Sequence, residues 1–523
     1  MPDTCPANNQ APPAIRGFRA VNPAHGGGLE PVFVSSAPPQ VDRAAKLAAE
    51  AFAQYGWMAA ARHRALVHRI AARLEAGADA IIERAHLETA LPAARLQGEL
   101  ARTCFQLRMY GDIAAEGSWV DARIDHADPQ RKPQPKPNLR SMLRPLGPVA
   151  VFGASNFPLA YSVAGGDTAS ALAAGNPVLV KAHPAHPGTS DLVGHAVSEA
   201  VRELGLPAGT FALLFDAATE VGAQLVQHPA IKAVGFTGSR RGGRALMDLA
   251  AARPEPIPVH AEMGSVNPVF ILPGAWRQRG EEIVACLHAS ATLGVGQFCT
   301  NPGLVLIDAD ETGEAFLHRL AALMDATPSG LMLTPAICDS YRRGVEARQQ
   351  VRGVRTVSRV AAGSQGCSGG AALFATDADT FLREPDLAQE VFGPTTLVVE
   401  CRGLAQMLEV AQALEGQLTA SVHASETELP SAAPLARLLE TKAGRLIYNG
   451  FPTGVEVCHS MVHGGPYPAS SDARSTSVGG RALARFARPV SFQNWPDAAL
   501  PDVLKEGNPL GLWRIVDGVL GRH

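Results

Sequence analysis

Short apolar runs alternate with helical stretches from residue 148 onward, and this alternation restricts the possible folds more than any other feature. The apolar runs, each of which reads as a buried strand, are residues 148–152, 177–181, 211–215 and 231–236. The helical stretches between them are residues 163–174, 191–204 and 219–227. This order predicts a parallel sheet wrapped by helices, with ligands bound beyond the carboxyl ends of the strands.

A second alternating stretch runs from about residue 268 to 448, with strands predicted near 303–307, 395–399 and 445–448. A chain of 523 residues that is 46% hydrophobic can bury more than one core. We therefore predict an α/β protein with two open parallel-sheet domains and a small β element. Before these domains, residues 1–40 read as an irregular lead-in and residues 41–110 as amphipathic helices.

Residues 126–144 combine four prolines with five Lys or Arg residues. Such a composition disfavours a helix or an interior strand, so an exposed arm or edge extension is expected. The alternative for a basic run is a nuclear or nucleic-acid signal. Because the whole chain has 46 basic and 49 acidic residues, for a net charge of −3, we predict no nucleic-acid partner.

The eight cysteines are scattered without C-x-x-C pairs, which argues against a disulfide framework and favours a reducing compartment. The N-terminus has no basic segment followed by an apolar run, and no apolar run reaches about 18 residues. The expected location is the cytoplasm, with no membrane partner.

Polar residues follow several of the predicted strands. Asn156 comes after the first strand, Lys181 after the second and Thr237 after the fourth. Residues 238–243 (GSRRGG) then form a turn whose amides, at the start of a helix, could face a pyrophosphate. The chain lacks a G-x-G-x-x-G fingerprint, so this turn alone does not define a dinucleotide site.

Four segments together resemble the aldehyde dehydrogenase superfamily in order and spacing. They are residues 154–159 (ASNFPL), 262–268 (EMGSVNP), 296–299 (GQFC) and 389–394 (QEVFGP). Lys181 and residues 236–239 (FTGS) fit the same pattern, and the resemblance covers nearly the whole chain. A cysteine such as Cys299 is, taken alone, more often a small buried residue, so the assignment depends on all four segments.

The resemblance implies three catalytic residues for NAD(P)-dependent oxidation of an aldehyde to a carboxylate. Cys299 would attack the aldehyde carbon and carry a thioester after hydride transfer. The side-chain amide of Asn156 and the backbone N–H of Cys299 would stabilise the oxyanion. Glu262 would activate the water that hydrolyses the thioester. Taken singly, Asn156 could be a turn residue and Glu262 a helix cap or solvated charge.

The resemblance also implies a cofactor site. Its expected residues are Lys181, His183, Gly222, Thr237, Gly238, Ser239, Glu390 and Phe392. Many NAD-preferring members of the family carry a glutamate three residues after the lysine, where this chain has Pro184. Without that carboxylate a 2′-phosphate is not repelled, so NADP is expected, with NAD as the alternative. His183 is either a phosphate partner or a turn residue.

Residues 450–457, 462–472 and 182–187 resemble the branch of the family that oxidises alpha-ketoglutaric semialdehyde. The expected reaction is 2,5-dioxopentanoate to 2-oxoglutarate, and a medium- or long-chain fatty aldehyde is the alternative substrate. Arg102 is expected to bind the far carboxylate of the substrate, or else to be an exposed helix arginine. Phe157 and Phe451 are expected to wall the aldehyde tunnel, with plain core packing as the alternative.

The expected domains are an NAD(P)-binding domain (1–120 and 144–267), a catalytic domain (268–450), a bridging element (121–143 and 480–500) and a tail (501–523). The bridging element is expected to pair subunits through sheet edges in a homodimer or homotetramer.

Two functional alternatives complete the expectations from the sequence. His459 and His463 have a spacing that a metal could use on a helix, but residues 464–466 (GGP) argue against a helix and no further ligand is evident, so no metal is predicted. A non-redox thiol esterase, or a binding protein on the same fold, is the alternative from another functional class.

Overall fold

The computed structural model describes residues 17–364 and 366–522. The helices are α1 (Pro38–Tyr55), α2 (Ala60–Ala76), α3 (Ala78–Thr89), α4 (Ala93–Glu116), α5 (Gly166–Ala173), α6 (Pro187–Glu203), α7 (Glu220–Gln227), α8 (Arg240–Ala251), α9 (Pro273–Thr292), α10 (Glu311–Asp325), α11 (Pro335–Gln350), α12 (Ala378–Arg383), α13 (Gly403–Ala413) and α14 (Leu429–Glu440). Among the described residues, no helix combines the length and the apolar character needed to cross a bilayer.

The strands are β1 (Gly17–Val21), β2 (Gly28–Val34), β3 (Arg123–Asp125), β4 (Leu139–Pro145), β5 (Val149–Phe152), β6 (Val178–Lys181), β7 (Phe211–Leu214), β8 (Ala233–Thr237), β9 (Val259–Glu262), β10 (Val269–Ile271), β11 (Leu304–Asp308), β12 (Gly330–Leu331), β13 (Arg355–Arg359), β14 (Ser368–Gly369), β15 (Ala372–Asp377), β16 (Thr395–Cys401), β17 (Gln417–His423), β18 (Ala443–Tyr448), β19 (Ala487–Gln493), β20 (Arg514–Val516) and β21 (Val519–Gly521). The predicted α/β class is confirmed.

The first large sheet has the order β7-β6-β5-β8-β9, and every neighbouring pair is parallel. Val149 and Val151 of β5 face a core shared with α2, α4, α5 and α6, whereas Ala150 faces a core shared with α1, α7 and α8. Burial on both faces explains why these strands read as continuous apolar runs. The strand order reverses between β5 and β8, so the ligand crevice is expected at the exits of these two strands.

The second large sheet has the order β13-β15-β16-β11-β10-β17-β18, and only β13 is antiparallel to its neighbour. The strands predicted near 303–307, 395–399 and 445–448 are present as β11, β16 and β18. Leu304 and Leu306 of β11 face one core of this sheet, while Val305 and Ile307 face the other. The second domain therefore also has helices on both faces.

A third sheet, β19-β4-β3-β20-β21, departs from the sequence expectation in two ways. The segment 126–144 was expected to contain no interior strand, but β4 lies between β3 and β19. The four prolines all precede residue 138, so residues 139–144 are free to pair on both sides. The tail 501–523, expected as a separate piece, supplies β20 and β21 to the same sheet.

The lead-in of residues 1–40 was expected to be irregular, but residues 17–34 form the antiparallel hairpin β1–β2. The turn-forming residues Asn22, Pro23, Gly26 and Gly27 lie between its strands. The strands were missed because they are stabilised by tertiary contacts, such as the ring of Phe33 stacked 5.3 Å from that of Phe215. Residues 1–16 of the lead-in lie outside the described residues.

A buried carboxylate joins two helices of the first domain. Glu88 on α3 is fully buried and accepts hydrogen bonds from the amides of Gly188 and Thr189, both at 2.8 Å, at the start of α6. Its charge is paired with Arg84 at 2.9 Å. An anion at a helix N-terminus satisfies amides that have no partner within the helix. Glu88 thus fixes the helix that follows the Lys181 strand exit.

We expect Glu88→Ala to lower the free energy of unfolding by about 3–5 kcal/mol, because it leaves Arg84 and two helix amides without their anion. The measurement is the urea midpoint of the purified chain. The matched control is Glu75→Ala, which breaks an exposed pair with Arg108 (side chains 49% and 37% exposed) and should cost under about 1 kcal/mol. Equal losses in both variants would contradict the role assigned to Glu88.

Candidate active site

Three of the predicted site residues lie at the carboxyl ends of strands in the first sheet. Asn156 follows β5, Thr237 ends β8 and Glu262 ends β9. Thr237 and Glu262 are also register partners on adjacent strands. Because the strands are parallel, their carboxyl ends lie together, on both sides of the point where the strand order reverses. Residues predicted to bind cofactor and residues predicted to catalyse therefore share this edge.

Cys299 comes from the second domain, on the loop between α9 and β11. Residues 294–296 of this loop have φ values of 56°, 58° and 64°. Such angles are rare for a β-branched residue such as Val295 and indicate local strain. At Gly296 a side chain would meet the carbonyl of Gly393. The segment that leads to Cys299 in the chain therefore requires glycine at position 296 and has a constrained backbone.

Two amide side chains hold the cysteine loop in place. Gln297 donates to the carbonyl of Gly294 at 3.2 Å and accepts from the amide of Leu333 at 3.0 Å. Asn267, which follows β9, donates from Nδ2 to the carbonyls of Cys299 and Asn301, both at 2.9 Å. The cysteine loop is thus held by contacts within itself and by two other parts of the chain, at Asn267 and Leu333.

The fold brings Cys299 and Glu262 together and adds a histidine. The Sγ of Cys299 lies 3.5 Å from Nε2 of His463, and this nitrogen lies 2.9 Å from Oε1 of Glu262. The sulfur of Cys299, a ring nitrogen of His463 and a carboxylate oxygen of Glu262 all lie within 4.8 Å of one another. Ser477 donates from Oγ to Oε2 of Glu262 at 2.8 Å. His463 is 1% exposed and Glu262 5%, whereas Cys299 keeps partial exposure.

Burial and charge have opposite effects on the two reactive groups. Burial, together with the nearby Glu262 carboxylate, raises the pKa of the Cys299 thiol well above its ordinary value. Burial also raises the pKa of the Glu262 carboxyl, but the neighbouring His463, Ser477 and Cys299 side chains together outweigh burial and hold this pKa below its ordinary value. At neutral pH Glu262 is therefore ionised and the thiol holds its proton.

Asn156 lies beside the cysteine loop. Its Nδ2 donates to the carbonyl of Gln297 at 3.0 Å, two residues before Cys299. Its own carbonyl accepts a hydrogen bond from Arg95 on α4 at 2.8 Å. The Arg95 guanidinium also lies 5.1 Å and 4.9 Å from the rings of Phe157 and Phe298. Arg95, which the sequence analysis did not identify, therefore anchors the strand exit that carries Asn156.

Aromatic rings connect the cysteine loop to an open cavity. Phe157 packs edge-on against Phe298 at 5.4 Å and Tyr161 at 5.3 Å. Arg102 stacks over the Tyr161 ring at 5.3 Å and donates to its hydroxyl at 3.3 Å. Arg102 also lines a cavity of about 470 Å³ together with Phe105, Glu456 and neighbouring residues. A continuous series of contacts therefore runs from the cysteine loop through Phe157 and Tyr161 to Arg102 at the cavity.

Phe451 makes a different set of contacts. Its ring lies 4.6 Å from that of His423, the last residue of β17. It also packs against the core of the second domain that contains Val269 and Val305. Core packing, the alternative reading from the sequence, describes these contacts, whereas Tyr161 and Phe298 are the rings that contact Phe157.

Two predicted cofactor residues follow β6. Burial lowers the pKa of Lys181 to about 8, against the opposing charge of Asp216. Burial, with the charges of His186 and Lys181, lowers the pKa of His183 well below its ordinary value. The Nδ1 of His183 accepts the amide of Ala185 at 3.2 Å, as a turn residue would. A neutral His183 would offer hydrogen bonding to a phosphate but no charge.

The other predicted cofactor residues surround the same edge. Ser239 caps α8 by accepting the amide of Gly242 at 3.2 Å, and the start of this helix directly follows Thr237 and Gly238. Gly222 lies on α7, where a side chain would meet the ring of Phe152. A helix N-terminus beside a buried lysine has the chemistry needed to hold a pyrophosphate.

Glu390 and Phe392 lie across the cleft from this edge. Both line a small cavity together with Gly296, Phe298 and other residues of the cysteine loop. The Glu390 carboxylate also lies against the backbone of Gly264. Groups that could hold a ribose and a pyrophosphate thus occur at the exits of β6 and β8 and beside the cysteine loop, so the residues present fit a nicotinamide dinucleotide.

His463 is the main functional residue that sequence reasoning missed. It is 164 positions from Cys299 and was considered only as a metal ligand paired with His459. Its backbone amide donates to Oγ1 of Thr476 at 2.8 Å, and its carbonyl accepts the amide of Ser477 at 2.8 Å. One signal was available, because His463 lies within the segment 462–472 that resembles one branch of the family.

Comparison with known proteins agrees with this geometry. Residues 12–471 match the aldehyde dehydrogenase family. The chain is 51% identical over 502 residues to alpha-ketoglutaric semialdehyde dehydrogenase 2 of Azospirillum brasilense, covering 96% of each chain. It is 45% identical over 496 residues to alpha-ketoglutaric semialdehyde dehydrogenase of Acinetobacter baylyi, covering 94% of this chain and 93% of the relative.

Solved structures share the fold at lower identity. The NAD⁺ complex of aldehyde dehydrogenase from Bacillus cereus has a TM-score of 0.78 at 21% identity, covering 91% of this chain and 93% of that one. Apo betaine aldehyde dehydrogenase from Staphylococcus aureus has a TM-score of 0.78 at 19% identity, covering 92% of each chain. The sequence match, the fold and the site agree, and the chain belongs to the aldehyde dehydrogenase family.

Proposed function

We propose that this chain oxidises alpha-ketoglutaric semialdehyde (2,5-dioxopentanoate) to 2-oxoglutarate, with NADP or NAD as hydride acceptor. The observation that carries the proposal is the meeting of Cys299, Glu262 and Asn156 where the strand order of the first sheet reverses. The choice of substrate is supported by the two relatives of that name, which are 51% and 45% identical over most of the chain.

In the first chemical step Cys299 attacks the aldehyde, and its buried neighbours His463 and Glu262 assist. The thiol must lose its proton before Sγ can attack the aldehyde carbon. His463, with Nε2 at 3.5 Å from Sγ, and Glu262, whose carboxylate lies within 4.8 Å, are the groups within reach to accept it. The product of the attack is a hemithioacetal alkoxide bound to Cys299.

The alkoxide oxygen then needs hydrogen-bond donors. The Nδ2 amide of Asn156 has two N–H groups, and only one is used by the carbonyl of Gln297. The remaining N–H and the backbone amide of Cys299 serve as the oxyanion donors in this mechanism. A nicotinamide dinucleotide held by residues such as Lys181, Ser239 and Glu390 would supply the hydride acceptor, and loss of hydride from the hemithioacetal carbon would leave a thioester on Cys299.

Glu262 serves the second half of the reaction. Its carboxylate is ionised and close to the sulfur that carries the acyl group, so it can take a proton from an attacking water. Ser477 fixes Oε2, so Oε1, which lies 2.9 Å from Nε2 of His463 and accepts no hydrogen bond among the described residues, would act as the base. Hydrolysis frees the carboxylate product and restores the Cys299 thiol.

Arg102 is our candidate for binding the far carboxylate of the substrate. Its hydrogen bonds to Gln106, Tyr161 and Val455 are long, between 3.3 and 3.5 Å, so a carboxylate could replace them. A guanidinium also offers a paired geometry that suits a carboxylate. The aromatic path from Arg102 through Tyr161 to Phe157 supports this assignment.

The proposal leaves the cofactor as NADP or NAD, with NADP expected. Pro184 stands where many NAD-preferring relatives carry a glutamate, so no carboxylate at this position repels a 2′-phosphate. The charge facing such a phosphate would come from Lys181, because His183 is neutral at pH 7.

The remaining proposals concern the setting of the enzyme. We propose that it works in the cytoplasm as a homodimer or homotetramer. The seven described cysteines are all free, which is consistent with a reducing compartment. The edge strands β18 and β19, with Leu446, Tyr448 and nearby Trp495 exposed, provide surfaces through which subunits could pair.

The direct test mixes the purified chain with 2,5-dioxopentanoate and either NADP or NAD. We expect the near-ultraviolet absorbance of the reduced cofactor to rise and 2-oxoglutarate to be found by mass spectrometry. Cys299→Ala should abolish both signals, whereas Cys286→Ala, which alters an exposed cysteine, should change neither. Hydrolysis of an activated ester without any cofactor reduction would favour a thiol esterase instead.

Asn156→Ala tests the oxyanion role. We expect kcat to fall about 10²–10³-fold, because one preorganised donor to the alkoxide is lost. Steady-state kinetics measure the loss, and cofactor binding, followed by fluorescence, should stay unchanged because Asn156 is not assigned to the cofactor. A loss below about fivefold would count against the role in catalysis.

Arg102→Ala tests the choice of substrate. Loss of a charge-assisted hydrogen bond should raise KM for the semialdehyde about 10- to 100-fold, with little change for hexanal. The matched control is Arg108→Ala on the same helix, whose guanidinium pairs with exposed Glu75. An equal rise in KM for both aldehydes would remove Arg102 from carboxylate recognition.

A further inference from the structure

Cys299, His463 and Glu262 present three different metal-binding atoms to one point. Sγ and Nε2 are 3.5 Å apart, Nε2 and Oε1 are 2.9 Å apart, and all three lie within 4.8 Å of one another. Sulfur, imidazole nitrogen and carboxylate oxygen are the ligand types that Zn²⁺ binds in proteins. The three residues come from separate parts of the sequence, so only the folded chain assembles this set.

Two of the three separations are close to those around a tetrahedral ion. Zinc bonds of about 2.3 Å to sulfur and about 2.05 Å to nitrogen, at a tetrahedral angle, place those two ligand atoms roughly 3.5 Å apart. This is the separation found between Sγ of Cys299 and Nε2 of His463. Nitrogen and oxygen ligands would stand roughly 3.3 Å apart, so the His463–Glu262 contact needs to open by only about 0.4 Å.

A second observation points to a missing partner at the same place. Oε1 of Glu262 is buried, and its 2.9 Å contact with Nε2 of His463 lacks the geometry of a hydrogen bond, so this oxygen has no hydrogen-bond partner among the described residues. Its other oxygen is held by Ser477. A buried carboxylate oxygen without a donor is costly, and this one faces the Cys299 and His463 atoms.

We propose that Cys299, His463 and Glu262 form a binding site for a soft divalent cation of the Zn²⁺ class, and that the bound ion inhibits the enzyme. The sulfur would bind as thiolate, releasing its proton to solvent, and Nε2 of His463 and a carboxylate oxygen of Glu262 would complete the set of protein ligands. Three protein ligands leave a fourth position for water on the exposed side of Cys299. The ion occupies the nucleophile, so it should compete with the aldehyde.

Cobalt(II) in place of zinc tests the site by spectroscopy, independently of which aldehyde is the substrate. We expect one Co²⁺ per chain, with a thiolate-to-cobalt charge-transfer band and tetrahedral visible bands. The thiolate band should vanish in Cys299→Ser, and affinity should fall at least about 10- to 100-fold in His463→Ala. The matched control, Cys286→Ser with Cys458→Ser, removes two exposed thiols and should leave the spectrum intact.

A measurement on the unaltered chain covers the case in which a variant fails to fold. Bound Zn²⁺ should protect Cys299, and neither Cys286 nor Cys458, from alkylation, as read by peptide mass spectrometry. Zn²⁺ should inhibit aldehyde oxidation over the same concentration range, and EDTA should restore it. A cobalt spectrum without a thiolate band, or a thiolate band lost only when the two exposed cysteines are removed, would overturn the proposal.

Discussion

The buried Glu262 carboxylate is the charge on which the arrangement of the site depends. An ionised carboxylate that is 5% exposed is costly unless polar groups surround it. Ser477 and His463 provide these, and both come from the segment that follows β18. That segment returns to the first sheet, where Ala469 accepts the amide of Met263 at 2.8 Å and Ser471 donates to the carbonyl of Ala261 at 2.9 Å. The surroundings of Glu262, the proposed catalytic base, are therefore completed by residues that follow β18 in the chain.

The contacts of His463 also hold Cys299, the proposed nucleophile, close to Glu262, the proposed base. Asn156 and Glu262 leave the first sheet, while Cys299 lies on a loop of the second domain. The bond from Asn156 to Gln297 is buried. By contrast, the ion pair between Arg240 and Glu415 is exposed, and pairs of that kind contribute little. The relative position of the two domains at the site therefore depends mainly on the buried contacts around the cysteine loop.

Much of this architecture could be predicted from the sequence, for a physical reason. Strands buried on both faces read as apolar runs, so β5, β6, β8 and β11 were placed closely, and the residues at their exits followed. Family resemblance then identified Cys299, Glu262 and Asn156, which the fold brings to one cleft. Where local pattern and tertiary environment agree, the sequence is informative.

The elements and residues that the sequence did not predict depend on contacts with distant parts of the chain. β1, β4, β20 and β21 are short or follow prolines and glycines, so their pairing depends on partners distant in the chain. His463, Arg95 and Tyr161 act through contacts with residues far away in sequence, which no spacing rule detects. Phe451 stays a predicted tunnel residue, and its ring lies 4.6 Å from that of His423 at the end of β17.

The charges at the site also constrain the order of the chemical steps. Burial raises the pKa of the Cys299 thiol, and the ionised Glu262 raises it further because a thiolate there would put two negative charges in a buried space. Moving the thiol proton to Glu262 keeps a single negative charge but is uphill, since the pKa of Glu262 is lowered. The thiolate should therefore form only as the aldehyde arrives. Once the sulfur carries an acyl group it is neutral, the repulsion is gone, and Glu262 can return to its ionised form as the base for hydrolysis.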